Sequence, residues 1–427
     1  MHGTDPQEMA GPGTAMLDRR SGDPGVLFHL LLAAVMFTVN GALLSVSVLT
    51  LSLKAAQIDS GRATTVLSLV ASVGAVATVV LYPLVGRLSD RTPGRFGRRR
   101  PYLLFGAVLI ALGGACLAAA GTIAMLVVGY VLLSIGYVST LVVASALVPD
   151  QVPEDRRGPS SAIVGLGTPV GAVLGLFLAQ LVASDLTAMI LLPSGLAAAA
   201  CLAMVVLVSD RPSHRVEAPL LGLADVLSTY WVNPLRYPAF AFAWVSRLLL
   251  FLGVSAVNAY QAFYLIMVLH VSPAAVAGKI FLATVVLTAA SMVTAPVATR
   301  LSERMGLRKP FVISAAVVFA VGLGLVSSAH SFGMFLLAML VLGAGQGVYL
   351  AVDFALVTQV LPDPENPAKD LGIMNLANTL PSSLVPAVAP ALLAIGSSGQ
   401  NFTALFVAGT VAALLGAVAV VPIRGIR

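Results

Sequence analysis

Gly86-Arg87-Leu88-Ser89-Asp90-Arg91-Thr92-Pro93-Gly94-Arg95-Phe96-Gly97-Arg98-Arg99-Arg100-Pro101-Tyr102 is the most basic segment of the chain, and it sets the topology. It packs six arginines between two apolar runs, near 62–85 and 102–120, each long enough to cross a bilayer. A shortened copy lies in the second half of the chain. Arg300-Leu301-Ser302-Glu303-Arg304 repeats Arg87 to Arg91, and Gly306-Leu307-Arg308-Lys309-Pro310-Phe311 repeats Gly97 to Tyr102. One plan, a basic turn joining two apolar helices, has been used twice.

The surroundings of this segment are apolar throughout. Of 427 residues 58% are hydrophobic and 10% charged, and the mean hydropathy is +0.97. Soluble domains carry roughly 25% charged residues, so this composition belongs to a membrane protein. Twelve apolar runs fall near 26–53, 62–85, 102–120, 123–148, 160–183, 187–208, 239–268, 276–299, 310–328, 332–361, 371–396 and 402–422. They are continuous rather than alternating, which predicts helices and not barrel strands. Cys116 and Cys201 sit singly inside such runs, with no disulfide or zinc spacing.

With both termini placed in the cytoplasm, twenty of the 24 Lys and Arg residues fall on the cytoplasmic side. The outer loops are left with Lys54, Arg62 and Lys279. The positive-inside rule is strongly obeyed, and the net charge of +6 is a matter of topology and anionic headgroups, not of nucleic acid. The expected layout is a disordered cytoplasmic tail (1–25), a six-helix bundle (26–209), a cytoplasmic linker (210–237), a second six-helix bundle (238–422) and a short tail (423–427). The linker holds Val226, Tyr230 and Trp231, residues suited to the interface.

The repeat extends beyond the basic turn. His29-Leu-Leu-Leu precedes Asn40 by eleven residues, as Arg247-Leu-Leu-Leu precedes Asn258. Ala146-Leu147-Val148 and Pro153 match Ala355-Leu356-Val357 and Pro362. The matches stay in order, at an offset of 209 to 218 residues. Similar halves around a midplane site form an architecture for alternating access.

With the repeat in place, Gly86 to Tyr102 resembles the loop between helices two and three of the major facilitator superfamily. Its longer arginine-rich form is similar to that of sucrose and glycoside–cation symporters. Asp150, Pro153, Glu154, Arg157 and Gly158 resemble the loop after helix four of the same superfamily. The resemblance implies an all-α membrane protein of twelve transmembrane helices in two pseudo-symmetric six-helix bundles. It implies a conformational gating role for Gly86, Asp90 and Arg91. Arg98 belongs to the same charged loop, and Glu303 and Arg304 form its degraded second copy. The alternative for the loop is a plain topology anchor.

Two charges lie deep in the apolar runs, Arg247 in the seventh and Asp353 in the tenth. A charge at the bilayer centre is unfavourable by at least ~2.5–3.5 kcal/mol, so such residues are functional candidates. Arg247 is about nine residues from the cytoplasmic start of its run and Asp353 about eight from the cytoplasmic end of its own, roughly 12–14 Å deep at ~1.5 Å per residue. The resemblance adds that helices one, four, seven and ten line the cavity, so the two should share a site. The alternative is a permanent ion pair bracing the C-terminal half. Their repeat partners are His29, which could simply snorkel at the interface, and Ala144. The first run holds no acid. Asp353 is then the best proton carrier, although Arg247 beside it opposes protonation.

Asn258 and Gln261 share a helical face with Arg247, and Gln346 and Tyr349 share one with Asp353. Asn40, Tyr137 and Ser139, with Asn375 and Asn378 on the eleventh run, complete the polar inventory. Such groups hydrogen-bond neutral solutes; each alone could equally knit helices together. Gly165, Gly167, Gly171 and Gly175 permit close packing, and Pro169, Pro381, Pro386 and Pro390 permit kinks. The sequence contains no phosphate loop and no HExxH or comparable metal spacing. The expectation is a non-enzymatic secondary transporter of a small organic solute in the inner membrane. It would be a monomer without cofactor or metal. A sugar or glycoside coupled to protons or Na+ is the leading cargo, and an exporter of a drug-like metabolite the competing reading. A receptor or a membrane-embedded enzyme is the alternative of another class.

Overall fold

The computed structural model describes residues 25–91, 97–208, 232–357, 359–362, 367–396 and 400–423. It leaves aside the side chains of residues 83, 87, 90, 91, 354, 355, 367–369 and 371. The expected N-terminal tail, nearly all of the linker and the last four residues lie outside this set.

Twelve helices long and apolar enough to span a membrane are present among the described residues. In the first half they are α1 (Val26–Ile58), α2 (Ala63–Arg91), α3 (Arg100–Ala119), α4 (Ile123–Gln151), α5 (Gly158–Leu181) and α6 (Leu186–Leu207). In the second they are α7 (Pro238–Met267), α8 (Pro273–Met305), α9 (Lys309–Ser327), α10 (Phe332–Val357), α11 and α12 (Phe402–Val420). Helix α11 is broken into Pro367–Thr379 and Pro381–Leu393, because Pro381 lacks the N–H that would continue the ladder. Helix α1 is wound as a π-helix over Val46–Thr50.

The packing repeats as the sequence does. Contacts of α1 with α6, α2 with α4, and α3 with α4 and α6 recur as α7 with α12, α8 with α10, and α9 with α10 and α12. Two symmetric seams join the halves, α2 against α11 and α5 against α8. Each bundle buries its small residues and leaves valines and leucines such as Val76, Val206 and Val293 exposed, 54–73% of their surface being open. In a bilayer that exposed band faces lipid tails.

Backbones come closest where glycine meets glycine. A Cβ on Gly175 of α5 would lie 2.1 Å from the Gly41 oxygen of α1, and one on Gly41 would lie 2.9 Å from the Gly171 oxygen. Gly167 faces Asn40, while Gly165 has nothing within 4 Å. Of the expected packing glycines, three serve the α1–α5 contact and Gly165 does not.

Two of the three outer cations lie within helices and not in loops. Lys54 is not in a loop: α1 continues to Ile58, and the buried Lys54 donates from Nζ to the Ala120 carbonyl at 3.3 Å, just past the end of α3. A cation is well placed at a helix C-terminus. Lys279 lies in α8, its Nζ 3.9 Å above the Phe332 ring.

Candidate functional site

The two copies of the basic turn fold alike. Gly97 and Gly306 both take positive φ, 86° and 64°, a region that favours glycine. Each is followed by a helix with proline in its first turn, where the missing N–H is not needed. Arg100 then donates from Nε and Nη2 to the Val208 carbonyl at the end of α6, at 3.0 and 2.6 Å. Its counterpart Lys309 reaches the Val421 carbonyl and, at 3.1 Å, the Ile423 carbonyl beyond α12. In both halves a cation closes the C-terminus of the last helix.

The halves differ one residue earlier. Arg98 Nη2 lies 2.5 Å from Asp150 Oδ1, and Arg99 Nε lies 2.8 Å from Asp150 Oδ2. Arg99 Nη1 also donates to Ser89 Oγ at 2.5 Å, and Ser89 in turn donates to the Gly86 carbonyl at 3.0 Å. The loop between α2 and α3 is thereby tied to the end of α4. Asp150 was not among the site residues expected from sequence; its place in a superfamily-like motif was the available signal. The side chains of Asp90 and Arg91 lie outside the described residues. Glu303 and Arg304 are exposed, with no ion pair among the described residues. Gln359 occupies the repeat position of Asp150 and Leu307 that of Arg98, so the second half has neither the carboxylate nor the first arginine of this clamp. Replacing Asp150 with Asn is expected to lower stability by about 1–3 kcal/mol, read as a drop in the thermal midpoint in detergent.

Arg247 and Asp353 meet directly. Arg247 Nη2 is 2.5 Å from Asp353 Oδ2, with side chains 11% and 2% exposed. Asp353 lies four residues before the end of α10 at Val357, not the eight expected, because the apolar run overstates the helix. The pair is poorly satisfied. Arg247 Nε, Asp353 Oδ2, Tyr349 Oη and Ser246 Oγ are all buried without a hydrogen-bond partner of good geometry. Tyr349 is nevertheless close enough to interact electrostatically with both charged groups.

The other expected residues separate into further groups. Asn40 Oδ1 accepts from Tyr137 Oη at 3.2 Å and from Thr168 Oγ1 at 3.3 Å, and Asn40 Nδ2 donates to the Met36 carbonyl at 2.7 Å. This cluster joins α1, α4 and α5 near mid-helix. Asn258 and Gln346 are half-buried in α7 and α10. Gln261 is buried, but at ~1.5 Å per residue it stands roughly 21 Å along α7 from Arg247. A shared helical face did not bring it to the ion pair. Among the described residues no group of His, Cys, Asp and Glu could hold a metal ion.

Among the described residues, hydrogen bonds and ring contacts between the halves lie toward the end opposite the basic loops. There Ser68 Oγ of α2 and Tyr260 Oη of α7 are 2.7 Å apart, buried. Ser72 Oγ of α2 donates to the Ser383 carbonyl of α11 at 3.4 Å. Phe177 of α5 packs on Phe281 of α8 with centroids 5.7 Å apart. The π-helical turn of α1 also contacts α7 at this end.

The family model described as Major Facilitator Superfamily matches residues 29–293 and 278–425. A 104-residue stretch is 32% identical to Multidrug resistance protein 3 of Bacillus subtilis (strain 168); it spans 23% of this chain and 19% of that protein. The crystal structure of nucleoside transporter NupG superposes with a TM-score of 0.71 at 13% identity, covering 94% of this chain and 100% of that one. A bacterial homolog to the human lysosomal transporter Spinster, inward-facing and unoccupied, superposes with a TM-score of 0.66 at 14% identity, covering 93% and 95%. At such identities the structural likeness speaks for the fold alone.

Proposed function

The chain belongs to the major facilitator superfamily, a family of membrane transporters and not of enzymes, and on that premise we propose that it carries a small organic solute across the cytoplasmic membrane by alternating access. One observation carries the proposal: the halves are latched at the end away from the basic loops, through the symmetric seams α2–α11 and α5–α8 and the Ser68–Tyr260 hydrogen bond between α2 and α7. With the basic loops cytoplasmic, the latched end is the outer one. Rocking about those seams would exchange the open end.

In this proposal the Arg247–Asp353 pair does the coupling. A pair kept only as a brace gains from complete hydrogen bonding, since a half-satisfied buried network is unfavourable. Arg247 Nε and Ser246 Oγ, buried beside the pair without a hydrogen bond of good geometry, leave capacity for a transient guest, whether a solute group, a water or a coupling ion. A proton or Na+ at Asp353 would loosen its hold on Arg247 and change the link between α7 and α10.

The cargo is a neutral polar solute in this reading. The arginine-rich loop supports a sugar or glycoside by resemblance, and uncharged amides and hydroxyls along the helices suit a neutral polar solute of the broader class. The short match to a multidrug resistance protein favours the second reading, an exporter of drug-like compounds. A thermal-shift screen of purified protein with sucrose, uridine and tetraphenylphosphonium separates them, followed by uptake of each stabilising compound into proteoliposomes. Stabilisation by sucrose or uridine supports the first reading. Stabilisation by tetraphenylphosphonium alone supports the second, and transport of none of the three contradicts both.

A further inference from the structure

Helix α11 is the least apolar of the twelve spans, and it is exposed on two opposite sides with opposite chemistry. Asn375 and Ser382 are exposed, and Asn378 and Thr379 are half-buried. At ~100° per residue these four fall within a sector of about 100°. On the other side Leu384 and Val388 are 42% and 52% exposed. Leucine and valine are at home against lipid tails. A band of amides and hydroxyls is not, because hydrocarbon offers them no hydrogen bonds. The polar side therefore borders water, and α11 stands between the bilayer and an aqueous space inside the bundle.

The polar side is already organised. Thr379 Oγ1 donates to the Asn375 carbonyl at 3.4 Å, and Ser382 Oγ donates to the Thr379 carbonyl at 2.6 Å. Their lone pairs remain as outward acceptors. Asn378 Nδ2 donates to Asn375 Oδ1 at 3.2 Å, which locks the two amides into one unit. That unit retains the Asn375 amide hydrogens as donors on the exposed side, while Asn378 Oδ1 is buried without a partner behind them. None of the four residues carries a charge, and the Arg247–Asp353 pair sums to zero.

The helix break sits beside this unit and is held from both halves. The Pro381 carbonyl accepts from Ser255 Oγ of α7 at 3.1 Å, and the Ser383 carbonyl accepts from Ser72 Oγ of α2 in the other half. Relative motion of the halves is thus transmitted to the segment that carries the asparagines. We propose that Asn375, Asn378, Thr379 and Ser382 form the solute-selecting wall of the pathway, and that this wall takes an electrically neutral solute bearing hydrogen-bond donors and acceptors. The proposal rests on the transporter reading and adds to it the residues that choose the cargo.

Single cysteines test it. Asn375→Cys, Thr379→Cys, Ser382→Cys, Leu384→Cys and Val388→Cys would each be made in a chain carrying Cys116→Ala and Cys201→Ala. The proteins, in proteoliposomes, are treated with a membrane-impermeant cationic methanethiosulfonate, with access to both faces. Cysteines at 375, 379 and 382 are expected to react at least tenfold faster than those at 384 and 388. Excess uridine or sucrose should slow the reaction at 375 several-fold, and tetraphenylphosphonium should not. Equal, slow reaction at all five positions would overturn the aqueous wall. Fast reaction at the first three without protection by either neutral solute, or with protection by the cation, would overturn its part in recognition. Failure of the transporter reading shows separately, as halves that do not move, and would leave the labelling contrast between the two sides of α11 intact.

Discussion

An Arg247→Leu protein is expected to lose about 3–5 kcal/mol of stability, because removing one partner leaves the other as an uncompensated buried charge. Asp353 is 2% exposed and has no water to turn to. Asp353→Leu should lose a similar amount by stranding Arg247. The double variant Arg247→Leu/Asp353→Leu is the informative one. Replacing both charges with packed hydrocarbon is often neutral or stabilising, so its thermal midpoint should return to that of the parent protein or exceed it. Uptake into proteoliposomes should stay lost in all three. A double variant that folds and transports would make the pair a brace, and coupling would have to reside elsewhere.

The second large effect belongs to the α1–α5 contact. Gly175→Val is expected to prevent these helices from packing. Even the first added carbon falls 2.1 Å from the Gly41 oxygen, and the obstacle is backbone, not a side chain that could swing away. Overpacking typically destabilises by about 1–3 kcal/mol, and a backbone clash with a β-branched residue should sit at or above the top of that range. The displaced α1 would also pull Asn40 from Tyr137 and Thr168. Gly165→Ala is the control, with nothing within 4 Å of the new methyl group. Detergent-solubilised yield and thermal midpoint should fall sharply for the first and hold for the second.

Hydropathy made the twelve helices legible, since each must bury its own backbone bonds in lipid. The repeat made the paired halves legible, down to the glycines at 97 and 306 that share a left-handed backbone. Ends of helices were read less well. A lysine looks like the end of a span, yet Lys54 sits inside α1 because the Ala120 carbonyl satisfies its amine. The tenth run looked longer than α10, because Val360 and Leu361 extend the apolar stretch beyond Val357. The meeting of Arg247 and Asp353 could be anticipated because two lone charges in hydrocarbon have few other solutions. Asp150 was hidden because a carboxylate at a helix end is an ordinary surface residue until Arg98 and Arg99 are seen to converge on it. The polar side of α11 was visible only as an inventory; exposure on opposite faces gave it direction.

Alternating access itself is open to one direct measurement. Spin labels at Arg156 and Arg304 would report across the basic end, and labels at Ser184 and Ala274 across the opposite end; all four positions are exposed. In lipid nanodiscs each pair should give two distances, one long and one short. Conditions that lengthen one pair should shorten the other, with the far end closed in the conformation described above. A single unchanging distance at both ends, with and without a stabilising solute, would contradict transport by rocking halves.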